Sequence, residues 1–267
     1  MQTSNELKEI VKEKYGEIAK KSQTGCGCGC GTQNNKIAGY TIMNDEYENL
    51  DGHFAEADLG LGCGLPTEYA NIKAGDTVVD LGSGAGNDVF VARAIVGSKG
   101  KVIGIDMTEE MIAKANRNRD KLGFTNVEFK LGDIENMPVE NDIADVVVSN
   151  CVLNLVPDKV KAFSEIYRIT KHGGHFSVSD IVVKGELPEG VKKSAEMYAG
   201  CVTGAVQHDE YLKIIEQTGF KNIIVKKSKQ ITMPDNTMRL ILSEDDLESY
   251  RQNGAGIFSI TVYAEKI

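Results

Sequence analysis

The chain has no long hydrophobic run. Nowhere in its 267 residues do about 18 apolar residues follow one another, so no membrane-spanning helix is expected. It also lacks a basic excess. Thirty lysines and arginines stand against 39 aspartates and glutamates, a net charge of -9. Nucleic-acid backbones and anionic membrane surfaces demand basic patches, so neither is an expected partner. The opening stretch MQTSNELKEIVKEKYGEIAKK is charged and amphipathic and lacks the apolar core of a secretory signal. A cytoplasmic location is expected, where thiols stay reduced. Histidines are few and scattered: His53, His172, His175 and His208 show no metal-ligand spacing and read as surface or turn residues.

What is present suits an ordinary globular protein: 41% hydrophobic and 26% charged residues. The length allows one large α/β domain with an appended lobe. Leu7, Ile10, Val11, Tyr15, Ile18 and Ala19 recur at helical spacing and predict an opening amphipathic helix. GCGCGCG, residues 25–31, cannot hold a helix and reads as a mobile loop. Residues 32–74 are turn-rich. From Thr77 strands and helices alternate: TVVDL, then NDVFVARAIV, KVIGI, TEEMIAKANRNRDKLG capped by Thr108, NVEFKL and DVVVS. A helix from Asp158 to Lys171 is expected to stop at Gly173-Gly174, followed by the strand HFSVSDIV. A helical stretch through Tyr198, the helix DEYLKIIEQTG, a solvated helix in SEDDLESYRQ and the strands NIIVK and GIFSITVYA complete the chain. This alternation implies parallel βαβ units in a doubly wound, Rossmann-like sheet. Three segments are expected: 1–74 with the helix and the Cys/Gly-rich loop, a nucleotide-binding core over 75–184, and a substrate-covering lobe over 185–267.

The strongest motif is VVDLGSGAGND, Val78 to Asp88. A strand runs into Gly82, Gly84 and Gly86 and a helix starts at once, so a ligand can approach backbone that carries no Cβ. Asp106, with Met107 after it, ends the next strand, where a carboxylate can accept ribose hydroxyls. The dinucleotide pattern would put a third glycine where Asn87 stands. Asp80, just before the turn, suits a cationic ligand better than a pyrophosphate. The arrangement resembles the nucleotide-binding turn of class I S-adenosylmethionine methyltransferases. That likeness implies that Asp133 and Ile134 lie beside the adenine. Asn150, at the end of the fourth strand, either binds the cofactor or caps the turn. The competing readings are an NAD-binding domain and a strand–helix turn that binds nothing.

Six cysteines remain: Cys26, Cys28, Cys30, Cys63, Cys151 and Cys201. Cys151 directly follows the fourth strand, and open α/β sheets bind ligands outside their C-terminal strand ends. Cys201 follows the fifth strand, and Cys63 precedes the first within LGCGLP. Three separate segments can thus bring one thiol each to the mouth of the cofactor site. Trivalent arsenic is soft and three-coordinate, and three thiolates satisfy it while leaving its lone pair free. A buried cysteine is also an ordinary small core residue. Zinc is a further rival, although zinc sites draw on short C-x₂₋₄-C knuckles that these three cysteines lack.

YGEIAK, GCGLP, DLGSGAGND, SNCVLNLVPDK, YAGCVTGA, DEYLKIIEQTGF and GIFSITVYAEK together resemble the arsenite methyltransferases over nearly the whole chain. The resemblance implies methyl transfer from S-adenosylmethionine to trivalent arsenic, a detoxifying biotransformation. It carries the arsenic-binding cysteines onto Cys63, Cys151 and Cys201. It also implies a relay thiol near the N-terminal helix, with Cys28 and Cys30 the candidates beside Cys26, and a thiol reductant such as thioredoxin or glutathione. Three cysteines on one glycine-rich loop could equally bind a metal themselves or form a disordered, thiol-bearing loop. Two other functions compete: a small-molecule C- or O-methyltransferase with incidental cysteines, and a non-catalytic thiol metal binder.

Overall fold

The structure is a computed structural model and describes residues 3–21, 47–191, 204–232, 238–239 and 242–267. Seven strands form one sheet: β1 (Thr77–Leu81), β2 (Lys101–Asp106), β3 (Val127–Leu131), β4 (Ala144–Asn150), β5 (Thr170–Lys184), β6 (Lys221–Ile231) and β7 (Gly256–Glu265). Their order is β3-β2-β1-β4-β5-β7-β6. The first five pair in parallel, as the alternating pattern requires. β7 runs antiparallel between β5 and β6, with Val178 opposite Val262 and Val225 opposite the same residue. The expected parallel βαβ winding covers β1 to β5, and the two closing strands, β6 and β7, join it as an antiparallel pair.

The described helices are α1 (Ser4–Lys21), α2 (Pro66–Tyr69), α3 (Asn87–Val96), α4 (Glu109–Leu122), α5 (Lys159–Ile169), α6 (His208–Gln217) and α7 (Glu244–Gln252). α3 starts at Gly86 and α4 stops at Gly123, both left-handed glycines. Thr108 stands at the cap position of α4, but its side chain makes no cap bond. Asp106 Oδ1 instead accepts the Thr108 N–H at 2.8 Å. Asp158 does cap α5, accepting from the Lys161 N–H at 2.9 Å. α5 ends at Ile169, not Lys171, because Thr170 already pairs with Ala144 in the sheet. Gly173 and Gly174 are spanned by β5 and bond to Lys266, so they break no helix. The helix expected through Tyr198 lies largely outside the described residues.

The sheet is buried on both faces. Val79, Ile103, Val147, Val178 and Val262 meet Phe163, Ile166 and Tyr211 on the α5–α6 side. Val78, Val102, Val146 and Val148 meet Val89, Phe90 and Ala115 on the α3–α4 side. Burial on both faces explains why the central strands read as continuous apolar runs. His175, read as a turn residue, lies within β5, where its ring stacks beside Tyr263 at 5.0 Å between centroids.

Candidate active site

A cleft opens at the C-terminal ends of β1, β2, β3 and β4. In an open α/β sheet this is where the strand order reverses and where ligands bind. Asp80, Gly82, Gly84, Asp106, Met107, Asp133, Ile134, Asn150 and Cys151 all line it, so one cavity gathers these sequence-derived candidates. Gly86 is the exception. A Cβ there would meet the rings of Phe129 and Phe90 at 2.9 Å, so this glycine allows helix α3 to pack rather than a ligand to approach. Gly84 has φ +52° and open space where its Cβ would stand, which suits close approach from the cleft.

Three carboxylates converge there. Asp80, Asp88 and Asp106 are all buried. Asp106 Oδ2 accepts the Gly84 N–H at 2.9 Å while Oδ1 accepts from Thr108, and each oxygen keeps a lone pair for a ribose hydroxyl. Burial raises the Asp106 pKa, and those two N–H groups partly offset the rise. Burial also pushes Asp88 up to about 6, against the hydrogen bonds from Asn150 and Tyr47. Asp80 is raised well above the carboxylate range by burial and by the nearness of Asp88 and Asp106. A site that strains to hold three negative charges favours a ligand bearing positive charge. In addition, the Ser83 Oγ and Asn87 Oδ1 atoms are buried at the cleft without a hydrogen-bond partner among the described residues.

Helix α1 closes the far end. Lys8, Val11 and Tyr15 line the cleft. The Lys8 Nζ donates to Asp133 Oδ2 at 2.6 Å and Glu135 Oε2 at 2.8 Å. Burial pulls this ammonium down, but the two carboxylates outweigh it and raise its pKa. Lys8, Tyr47 and Asp88 were not singled out from the sequence. Asp88 had a signal, as the acid closing the DLGSGAGND motif. Lys8 had a helical stripe beside it, and nothing local marked Tyr47.

Behind the carboxylates lie two of the cysteines. Cys63 and Cys151 are both buried and belong to one apolar cluster with Ile181, Leu187, Val191, Met238, Leu247 and Ile257. Met238 and Leu247 come from the C-terminal segment, which therefore covers the thiols. Cys151 adopts φ +60°, a left-handed conformation that costs a non-glycine residue roughly 1–2 kcal/mol. Its N–H donates to the Ser179 carbonyl at 2.8 Å, which extends the β4–β5 pairing. The carbonyl of Cys63 accepts from the Ser259 hydroxyl. Cys201, Cys26, Cys28 and Cys30 lie outside the described residues. Among the described residues no three His, Cys, Asp or Glu side chains group as a metal site.

Residues 72–219 match the family model of a methyltransferase domain. An arsenite methyltransferase from Halobacterium salinarum is 37% identical over 98% of the chain and 67% of its own length. The chain belongs to the arsenite methyltransferase family. The human arsenite methyltransferase is 32% identical over 90% of the chain and 64% of its own length. The crystal structure of an arsenic(III) S-adenosylmethionine methyltransferase from Chlamydomonas reinhardtii superposes with a TM-score of 0.65 at 34% identity. That alignment covers 77% of this chain and 68% of the other. These arsenite methyltransferases are longer, and the chain spans about two thirds of each.

The cofactor of such a methyltransferase is S-adenosylmethionine, and the cleft fits it. Asp80 and Asp88 would hold its cationic amino-acid end, and Asp106, with a lone pair left on each oxygen, would hold its ribose. Met107, Met111 and Ile134 line the cleft with apolar side chains against which an adenine could pack. The seven-stranded mixed sheet is a Rossmann-like class I methyltransferase fold, as the glycine turn led one to expect. No described helix is long and apolar enough to cross a membrane.

Proposed function

We propose that the protein transfers a methyl group from S-adenosylmethionine to trivalent arsenic held by the thiolates of Cys63, Cys151 and Cys201. The observation that carries this reading is the pair of buried cysteines in one apolar cluster, with Cys151 lining the same cleft as Asp80, Asp88 and Asp106. When bound, S-adenosylmethionine supplies an electrophilic methyl group on a sulfonium. Asp80 and Asp88 hold the cationic amino-acid end, and Asp106 holds the ribose. The apolar cluster around the thiols excludes water, so a soft thiophilic ion is favoured over a hard, hydrated one.

With S-adenosylmethionine bound, the three thiolates would aim the arsenic lone pair at the sulfonium methyl, so that an As–C bond would form as the S–C bond breaks and S-adenosylhomocysteine would be the leaving group. Arsenic loses two electrons in this step. A pair of cysteine thiols, with Cys28 and Cys30 the candidates, returns them and becomes a disulfide. A thiol reductant such as thioredoxin or glutathione then restores the thiols. That chemistry needs a reducing compartment, and the cytoplasm supplies one.

The test is an assay of the purified protein with arsenite, S-adenosylmethionine and a thiol reductant, reading methylated arsenic by chromatography and mass spectrometry. Methylated arsenic that depends on all three supports the reading. Its absence from folded protein that binds S-adenosylmethionine overturns it, and a small organic acceptor becomes the substrate to seek.

A further inference from the structure

Asn150 occupies the junction between the cofactor carboxylates and the Cys63 loop, and its side-chain amide is engaged on both sides. The Oδ1 atom accepts the Cys63 N–H at 3.0 Å. The two Nδ2 hydrogens are shared among the Gly64 carbonyl at 2.8 Å, Asp88 Oδ2 at 3.2 Å and the Tyr47 hydroxyl. Tyr47 in turn donates to Asp88 at 3.0 Å, with the Gly64 carbonyl 3.2 Å from the same hydroxyl. The amide cannot turn over. A flip would set NH₂ against the Cys63 N–H and put oxygen against a carbonyl and a carboxylate. The loop is also pressed onto it: a Cβ at Gly62 would stand 2.7 Å from Asn150 Nδ2.

We propose that Asn150 is a positioning residue that sets Cys63 against Cys151 and ties the placement of Cys63 to occupancy of the cofactor site. This goes beyond the reading of Asn150 as a cofactor ligand, and its role in catalysis rests on the thiolate mechanism above. The physical route is short. Asp88 accepts from both Asn150 and Tyr47 more strongly as a carboxylate than as a neutral acid, and a cation in the cleft favours the carboxylate. Cofactor binding thus strengthens the anchor that holds the amide, and the amide holds the Cys63 backbone from two sides. Linkage makes the effect reciprocal, so a fixed Cys63 loop also favours the cofactor.

Two variants of the full chain test this, Asn150→Ala and the near-isosteric Asn150→Asp. The Asp variant keeps an acceptor for Cys63 but sets a second carboxylate against Asp88 and the Gly64 carbonyl. The readout is the iodoacetamide alkylation rate of Cys63 and of Cys151, each followed by peptide mass spectrometry, with and without S-adenosylhomocysteine. In the wild type, S-adenosylhomocysteine should slow alkylation of Cys63. Two lost hydrogen bonds are worth about tenfold. In Asn150→Ala, which loses both bonds to the loop, Cys63 should therefore react about tenfold faster, and in Asn150→Asp, which keeps the Cys63 acceptor, about threefold faster, while in each Cys151 changes less and the response to S-adenosylhomocysteine is lost. In turnover, the ratio of arsenite to methylarsenite rates should fall about tenfold, because only the unmethylated ion needs the third thiolate.

An unchanged Cys63 rate in Asn150→Asp overturns the proposal. So does an equal acceleration of Cys63 and Cys151, which would mark general loosening. Alkylation needs no arsenic, so this result stands apart from the thiolate mechanism. That mechanism fails separately if Cys63→Ser keeps full arsenite turnover.

Discussion

Cys63 and Cys151 share one buried cluster but reach it from different directions. Cys63 rides on the loop ahead of α2, and Cys151 stands at the end of β4 in the cleft wall. Coordination number separates their roles. Arsenite takes three sulfurs, whereas methylarsenite has two valences left for sulfur. Cys63→Ser should therefore lose arsenite turnover by at least about 100-fold and methylarsenite turnover far less, whereas Cys151→Ser should lose both. Steady-state assays on the two substrates check this, and equal losses in Cys63→Ser would contradict it. Asp88 carries the second expectation at this scale. Its pKa near 6 in the ligand-free protein means that acid removes the charge that a cationic cofactor needs. S-adenosylmethionine affinity should fall as pH drops through about 6, by up to about tenfold per unit. Asp80 and Asp106 face the same space, and removing one charge eases ionisation of the others. Asp88→Asn should consequently weaken binding at pH 8 and flatten the decline, as calorimetry across pH 5 to 8 would show. The Asp80, Gly82, Gly84 and Asp106 positions were legible because a strand–glycine–helix motif carries its own geometry. Tyr47 was not, because its role comes only from meeting Asp88 and Asn150 across the fold.

Strand β5 carries a buried network that the methyl transfer does not use. Asp180 accepts the Tyr211 hydroxyl at 3.0 Å and its neighbour Ile181 N–H at 3.0 Å. Lys159, from α5, donates to the carbonyls of Asn154 at 3.2 Å and Val156 at 3.1 Å. The turn that follows Cys151 is thus held from beneath by α5, β5 and α6. Burial raises Asp180 to about 7, although Lys159 and the surrounding donors oppose the rise. The native state therefore keeps a proton that the unfolded chain, with the ordinary aspartate value of 3.8, has already released. Stability contributed by this group is present at low pH and is lost as pH rises through about 7. Asp180→Asn keeps an oxygen for the Ile181 N–H, sets its NH₂ against the Tyr211 hydroxyl, which can turn to accept, and does not ionise. Its urea midpoint, compared with that of the wild type, should gain between pH 5 and pH 8, and a constant difference across that range would refute the assignment. Elements of this kind were partly readable. The period of α5 and the apolar run of β5 marked both, but their boundary moved to Thr170. There a tertiary pairing with Ala144 outweighs a glycine pair that looks like a helix stop.

At the scale of the whole molecule, the sheet and its C-terminal cover close the thiol site. Leu247 of α7 and Met238 pack in the same cluster as Cys63 and Cys151, with Leu247 only 2% exposed. Leu247→Ala should destabilise the protein by about 2–4 kcal/mol through the cavity it leaves. It should also quicken alkylation of both thiols, as denaturant titration and thiol labelling would show, and a neutral effect on each would place the cover elsewhere. The sequence alone determined the five parallel strands, the glycine turn at their ends and the acids beside it, since each is written in local periodicity and short motifs. The resemblance in its motifs also marked the cysteines. Only the tertiary structure decided that β7 enters antiparallel between β5 and β6, that α1 lays Lys8 across Asp133 and Glu135, and that Asn150 joins Cys63 to Asp88. Those contacts link residues far apart in the chain. Their partners are chosen by packing and charge in the folded state, and no local pattern records that choice.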